Sequence, residues 1–310
     1  LDIGAPPHAL GSASTTLAGT ATLTLVAPAH LAAGAPVHFQ AVVRAPDGAW
    51  YTSDVEVRQV GDTGICADAE ERPHDPALPE WSYHGVDDGP ADWGTLPGYA
   101  LCGSGIEQTP IDIDTGTTAA ASGPLTFLNY AVDLPLDLLD NGHTLQVTWS
   151  GEDGPHDPQI TDGSKTWFLR QLHVHSTSEH LIDGESYPFE IHLVHQAADG
   201  SRAVVGILGE DDEEHDALTL LMERDPGHHL WTTCTDVLPL DSLLPLSSAY
   251  YRYSGSLTTP PCDEGLDWFV MADPIPVSAT QAAEWQHLFH GTTNRPVQPL
   301  HGRVVSAWVP

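Results

Sequence analysis

Lysine is almost missing from this chain. There is one, Lys165, in 310 residues, and the other basic residues are arginine, 10 in all against 43 acidic, for a net charge of −33. A surface of that sign makes nucleic acid a poor partner, because phosphate binding draws on clustered cations. The acids are scattered, with Asp211-Asp-Glu-Glu214 as the densest run, so they do not form a disordered acidic tail. No run of about 18 apolar residues occurs, which excludes a membrane-spanning helix. No Cys-x-x-Cys pair occurs among Cys66, Cys102, Cys234 and Cys262, which excludes a thiolate zinc module. No internal repeat is visible, and no signal peptide precedes Leu1, so a mature or trimmed chain is expected.

The acid excess has two readings. One is an acidic extracellular protein. The other is adaptation to high salt, where the Debye length shrinks from about 10 Å at 0.1 M to about 3 Å at 1 M and mutual repulsion is relieved. The scarcity of lysine favours the second.

The 41% hydrophobic content suffices for a real core. Residues 1–20 are rich in Gly, Ala, Ser, Thr and Pro and read as a loose leader. Residues 22–26, 37–43 and 50–60 alternate apolar and polar side chains, with Pro36 and Pro46-Asp-Gly48 as punctuation. They predict a small N-terminal β segment within residues 1–65. It carries no ligand motif and is expected to lie on the main domain or a partner subunit. Residues 66–310 predict a second, larger domain. Its short strands alternate with turn residues, and residues 133–139 and 281–290 are the helix candidates. The fold class expected is mostly β, with minor α, around a large central, mainly antiparallel twisted sheet with short peripheral helices.

The chemistry concentrates in Gln171-Leu-His173-Val-His175 and Glu190-Ile-His192-Leu-Val-His195. Side chains of a strand alternate faces, so Gln171, His173 and His175 share one face and Glu190, His192 and Val194 another. Asp183-Gly184 lies between the two runs as a turn signal. Folded as antiparallel neighbours, the runs bring His173, His175 and His192 to one point. Three neutral imidazoles without a fourth protein ligand make a catalytic zinc site with an open position. Gln171 and Glu190 stand two residues from a ligand, where acceptors fix the tautomer. His195 falls on the opposite face and reads as structural, and His180 as a hydrogen-bonding core residue.

At these residues the chain resembles the alpha-class carbonic anhydrases, and the resemblance runs in the family's order from about Trp81 to the C-terminus. It comprises Trp81-Ser-Tyr83, Asp88-Gly-Pro-Ala-Asp-Trp93, Gln108-Thr-Pro-Ile-Asp-Ile113 and Asn141-Gly-His143. The two histidine strands, Ser178-Glu-His180, Ala203-Val-Val-Gly206, Tyr253-Ser-Gly-Ser-Leu-Thr-Thr-Pro-Pro261 and Asn294-Arg-Pro-Val-Gln-Pro299 follow.

The resemblance implies reversible hydration of carbon dioxide to bicarbonate by zinc hydroxide. It implies Thr258 as the residue that orients the nucleophile, Glu179 as its acceptor and His143 as the proton shuttle. It implies an apolar substrate pocket of Val194, Val204, Leu257, Leu266 and Trp268, with Thr259 beside bicarbonate. Tyr83, Asn141 and Gln146 would order the proton-path waters, although Gln146 stands where the family more often has asparagine. Thr109-Pro110 and Pro260-Pro261 are bonds the family tends to hold cis.

An even cysteine count suggests disulfides and an oxidising compartment, with four buried thiols as the alternative. Exported relatives imply a Cys102–Cys262 bond, and with it Cys66–Cys234. A secreted, periplasmic or extracellular location follows, and homodimers are common among microbial relatives. Two other functions compete with a working enzyme: a carbonic anhydrase-like binding protein with little activity, and a salt-tolerant surface protein whose N-terminal segment does the main work.

Overall fold

The computed structural model describes residues 66–71, 78–151 and 153–310 in full, and the backbone of four short strands within residues 36–59. The chain divides into two compact units, Leu1–Ile65 and Cys66–Pro310.

In the first unit Pro36–Phe39 pairs with Glu56–Gln59 and Val42–Arg44 with Trp50–Thr52, both antiparallel. The runs expected as single strands over 37–43 and 50–60 are thus each divided. The two pairs differ in register by one residue. The run 22–26 lies outside the described residues.

In the second unit fourteen strands among the described residues join one mixed sheet. Most pairings are antiparallel. Arg202–Asp211 runs parallel to Glu264–Met271 and Ile275–Val277, and Ser306–Trp308 parallel to Ala119–Ala120. The histidine strands Thr166–His175 and Phe189–Gln196 are neighbours near the middle, flanked by Leu145–Thr148 and Arg202–Asp211.

Alternation sorts these strands between separate cores. Leu172, Val174, Ile191, Leu193, Ala203, Val205 and Ile207 face one large core. Val204, Leu208, Leu266, Trp268 and Val270 face a second, smaller one. Leu172, Val174, Ile191 and Leu193 are at most 1% exposed, and burying each such side chain contributes about 1.5–3 kcal/mol. A one-residue slip would exchange them for the histidines, so the apolar face fixes the register of the polar one.

Residues 133–139 are not helical. Asp133–Asp140 is a strand in which Leu134, Leu136, Leu138 and Asp140 are buried at period two. Pro135 is tolerated because it pairs with Val237, where the partner strand Leu230–Pro239 departs from regular register. The other expected helix runs over Ala279–Leu288, beginning two residues early because Ser278 and Gln281 form a capping box.

Both disulfides are present, Cys66–Cys234 and Cys102–Cys262, and both lie within the second unit. Thr109-Pro110 and Pro260-Pro261 are cis, as is Ser176-Thr177. Among the described residues no helix is long and apolar enough to cross a membrane.

Candidate metal centre

His173 lies opposite His192 across the two histidine strands, with Leu172 opposite Leu193 and His175 opposite Glu190. Ring nitrogens of His173, His175 and His192 come within 4.8 Å of one another. Each ring is held from behind. His173 Nδ1 donates to Gln171 Oε1 at 2.8 Å, His175 Nδ1 to the Thr293 carbonyl at 2.6 Å, and His192 Nε2 to Glu190 Oε1 at 2.8 Å.

These partners settle where the protons are. A carbonyl and a carboxylate only accept, so the nitrogens facing them carry the N–H. The other three nitrogens, His173 Nε2, His175 Nε2 and His192 Nδ1, then present lone pairs to one another. Two of them, His173 Nε2 and His192 Nδ1, are 3.3 Å apart, and His175 Nε2 is buried with no hydrogen-bond partner. Burial and neighbouring imidazoles hold all three pKa values below the ordinary range, with His175 near 4. Converging, unprotonated imidazoles without a donor fit a divalent cation, zinc above all.

His180, Glu190 and His192 also cluster, but as a hydrogen-bond chain. His180 Nδ1 and His192 Nε2 both donate to Glu190 Oε1, and His180 Nε2 meets the Tyr253 hydroxyl at 2.6 Å. Nitrogens that carry protons cannot ligate. Burial pushes the Glu190 carboxyl up, but His180 and His192 outweigh it and hold it well below the carboxylate range. Its Oε2 accepts the backbone N–H groups of Glu179 and His180 at 2.9 and 2.8 Å, so one carboxylate both orients a ligand and fixes the next segment.

The Glu190 carboxylate needs Gly206. A Cβ at Gly206, which pairs with His192, would lie 2.9 Å from Glu190 Oε1, and Glu190 is too fully bonded to move away. Gly206→Ala is therefore expected to weaken metal binding by about 10–100-fold, the usual cost of losing a ligand's outer partner, with the fold intact. A metal competition titration checks this, and unchanged affinity would show that Glu190 does not orient His192.

Glu179 Oε1 accepts the Arg295 backbone N–H at 2.8 Å. Its buried Oε2 makes no hydrogen bond and lies 3.6 Å from His175 Nε2 and 3.9 Å from His192 Nε2. Burial pushes this carboxyl up to about 7, while His192, the Arg295 N–H and the nearby Thr258 side chain oppose the rise. Thr258 is buried beside it, and no hydrogen bond of ordinary geometry joins the two. A cation among the imidazoles would favour the ionised form further.

Trp268 stands 4.9 Å from the His192 ring, and Val204, Leu266, Val194 and Leu257 pack with it into one apolar wall. The Thr259 carbonyl accepts the Cys262 N–H, closing the tight loop that carries Thr258. Gln146 is paired with His173 in register and bonds Thr148. Asn141 Oδ1 caps its own turn through the N–H groups of His143 and Thr144. Tyr83 lies edge-on to both His143 and His175, at 6.2 and 6.5 Å. The His143 ring stacks on Trp81 at 3.6 Å. His195 is remote from the cluster, bonded to Tyr130 in the core.

Two contributors escape sequence reasoning. The Thr293 carbonyl that holds His175 is backbone and has no residue signature. Arg295 is 1% exposed, donates to Gln108 Oε1 and the Thr109 and Cys102 carbonyls, and places Glu179 through its own N–H. Asn294-Arg-Pro marks the position but not that task.

A mostly β scaffold that gathers three neutral imidazoles, each braced from behind, beside a buried carboxyl fits the class of metal-dependent hydratases and hydrolases. The comparisons narrow it. Residues 88–309 match the family model for eukaryotic-type carbonic anhydrase. A carbonic anhydrase of Klebsiella pneumoniae is 39% identical over 227 residues, covering 73% of this chain and 89% of that protein. Human carbonic anhydrase 7 is 35% identical over 266 residues, with 73% and 96% covered. The solved alpha-carbonic anhydrase of Thermovibrio ammonificans, in complex with sulfanilamide, superposes with a TM-score of 0.67 at 36% identity, covering 73% of this chain and 98% of that one. The chain belongs to the alpha-class carbonic anhydrases, enzymes that hydrate carbon dioxide.

Proposed function

We propose that the enzyme hydrates carbon dioxide reversibly with zinc held by His173, His175 and His192. The observation that carries this is the convergence of three ring nitrogens, each with its partner nitrogen already committed to an acceptor. When bound, zinc lowers the pKa of a water molecule to about 7 and so supplies a nucleophile at neutral pH, a magnitude whose standard example is carbonic anhydrase itself.

The chain's own residues do the rest. Glu179, ionised, accepts the Thr258 hydroxyl proton. The Thr258 oxygen is then left with lone pairs only, and it accepts from the nucleophile and turns that oxygen's free lone pair toward the substrate. The wall of Val194, Val204, Leu257, Leu266 and Trp268 suits a small apolar molecule, and Thr259 adjoins the product side. His143 takes the proton outward, with Tyr83, Asn141 and Gln146 along the way. Stopped-flow hydration with and without a zinc chelator tests the reading. Activity should vanish with the chelator and return with zinc, and chelator-resistant activity would refute it.

The export reading is supported by two disulfides that leave no free cysteine. The unreduced protein is expected to show no titratable thiol, and four thiols would remove the argument. The salt reading is supported by the net charge of −33. It predicts a Tm that climbs with NaCl from about 0.1 M to beyond 1 M as repulsion is screened. A flat or falling curve would reject it.

A further inference from the structure

Beside His143 the turn before Leu230–Pro239 carries two more imidazoles, His228 and His229, which the reaction described above does not use. Leu230–Pro239 pairs with Asp133–Asp140 so that Trp231 meets Leu139, which sets His229 against the Asn141-Gly142 turn. Gly142 (φ 85°) leaves room for it: a Cβ there would fall 2.4 Å from His229 Cε1. The His229 ring therefore lies on the backbone next to His143. His228 lies against it, ring centroids 4.1 Å apart, with its own side chain 61% exposed.

We propose that His228 and His229 form the outer station of the proton path, accepting the proton that His143 carries out of the site and releasing it to buffer. The inference rests on the shuttle role read for His143. In the step, an N–H bond of protonated His143 breaks and its proton passes to the lone pair of a neutral His229 or His228 ring. That ring then gives the proton to buffer or water, and nothing is oxidised or reduced. Transfer between His143 and the pair is taken to run through intervening solvent, since no direct ring contact joins them among the described residues.

Each ring's surroundings suit its part. His143 is half-buried against Trp81, and burial, then His229 and His228, press its pKa to about 4, with Asp88 opposing. Such a ring holds a proton briefly and passes it on. The outer pair is in solvent and faces acids. Asp140 Oδ1 is 4.0 Å from His228 Nδ1, and Asp225 on the same loop acts on Asp140 in turn. Imidazole rings open to water can pass a proton directly to buffer, as positioned general acid–base groups do. A charge on the pair also returns His143 to the neutral form, ready for the next proton.

The test is hydration kinetics of holoenzyme carrying His228→Gln and His229→Gln together, in weak non-imidazole buffer. The double variant should lower kcat about 3–10-fold, a modest share of the roughly 10²–10⁴ that positioned proton transfer contributes. It should leave kcat/KM unchanged and recover with added imidazole. His143→Ala measured in parallel should show its own buffer dependence, and the triple variant should be no slower than His143→Ala alone, because the groups act in series.

Wild-type kcat in the double variant would overturn the relay while the shuttle stands. So would additive loss in the triple variant. Absence of any buffer effect in His143→Ala would overturn the shuttle and the relay with it. Independently of turnover, NMR titration of the His143 ring should move upward in the double variant, since both neighbours depress it, and an unmoved titration would contradict the proximity the relay needs.

Discussion

Replacing His173 with alanine is expected to remove zinc and carbon dioxide hydration together. The remaining nitrogens of His175 and His192 keep their outer partners, the Thr293 carbonyl and Glu190, so the variant folds and loses only one corner of the site. Losing an outer partner costs about 10–100-fold in metal affinity. Losing the ligand itself should exceed that, and activity should follow occupancy. Gln171→Ala is the internal comparison, because it leaves His173 in place but frees its ring, and it should fall in the smaller range. Metal content and stopped-flow rates on the same samples check both. Full metal occupancy in His173→Ala would show that the ligand set is different.

Glu179→Gln should keep zinc and fold yet lower kcat/KM by about 10²–10³, on the scale of removing one preorganised hydrogen-bonding group from an active site. The reason lies in its two faces. One oxygen accepts from the Arg295 backbone N–H at 2.8 Å, and the other is buried without a partner beside Thr258 and the imidazoles. A carboxylate accepts on both. An amide must aim its NH₂ either at the Arg295 donor or at Thr258, and either choice breaks one contact. If it faces Thr258, the hydroxyl no longer has an acceptor and its oxygen no longer turns its lone pairs to the nucleophile. A variant with wild-type kcat/KM would mean that Thr258 is oriented without Glu179.

How far the sequence alone reaches depends on which residues carry a period. His173, His175, His192, Gln171 and Glu190 were readable because strand alternation is strict, and the same rule places Leu172, Val174, Ile191 and Leu193 in the core. Thr258, Glu179 and His143 came from the family resemblance, since a lone threonine before two prolines has no pattern of its own. Asp133–Asp140 differs from the helix expected there, because Leu134, Leu136 and Leu138 alternate at period two. Pro135 and the buried two-residue period decide for the strand. The Thr293 carbonyl, the Arg295 N–H and the Trp81 stack on His143 were illegible. They join parts of the chain that only the closed fold brings together, and two of them act through backbone atoms common to every residue.

The outer histidines belong to the same lesson. His228 and His229 form an exposed turn pair, and the register with Asp133–Asp140 sets His229 beside Gly142.

The measurement that bears most directly on the whole account is the metal content and coordination of purified, active protein. Elemental analysis should find one zinc per chain. X-ray absorption should find three imidazole nitrogens around it, from the cluster of His173, His175 and His192. Active protein free of transition metal, or a zinc with sulfur or carboxylate ligands in place of those rings, would contradict it.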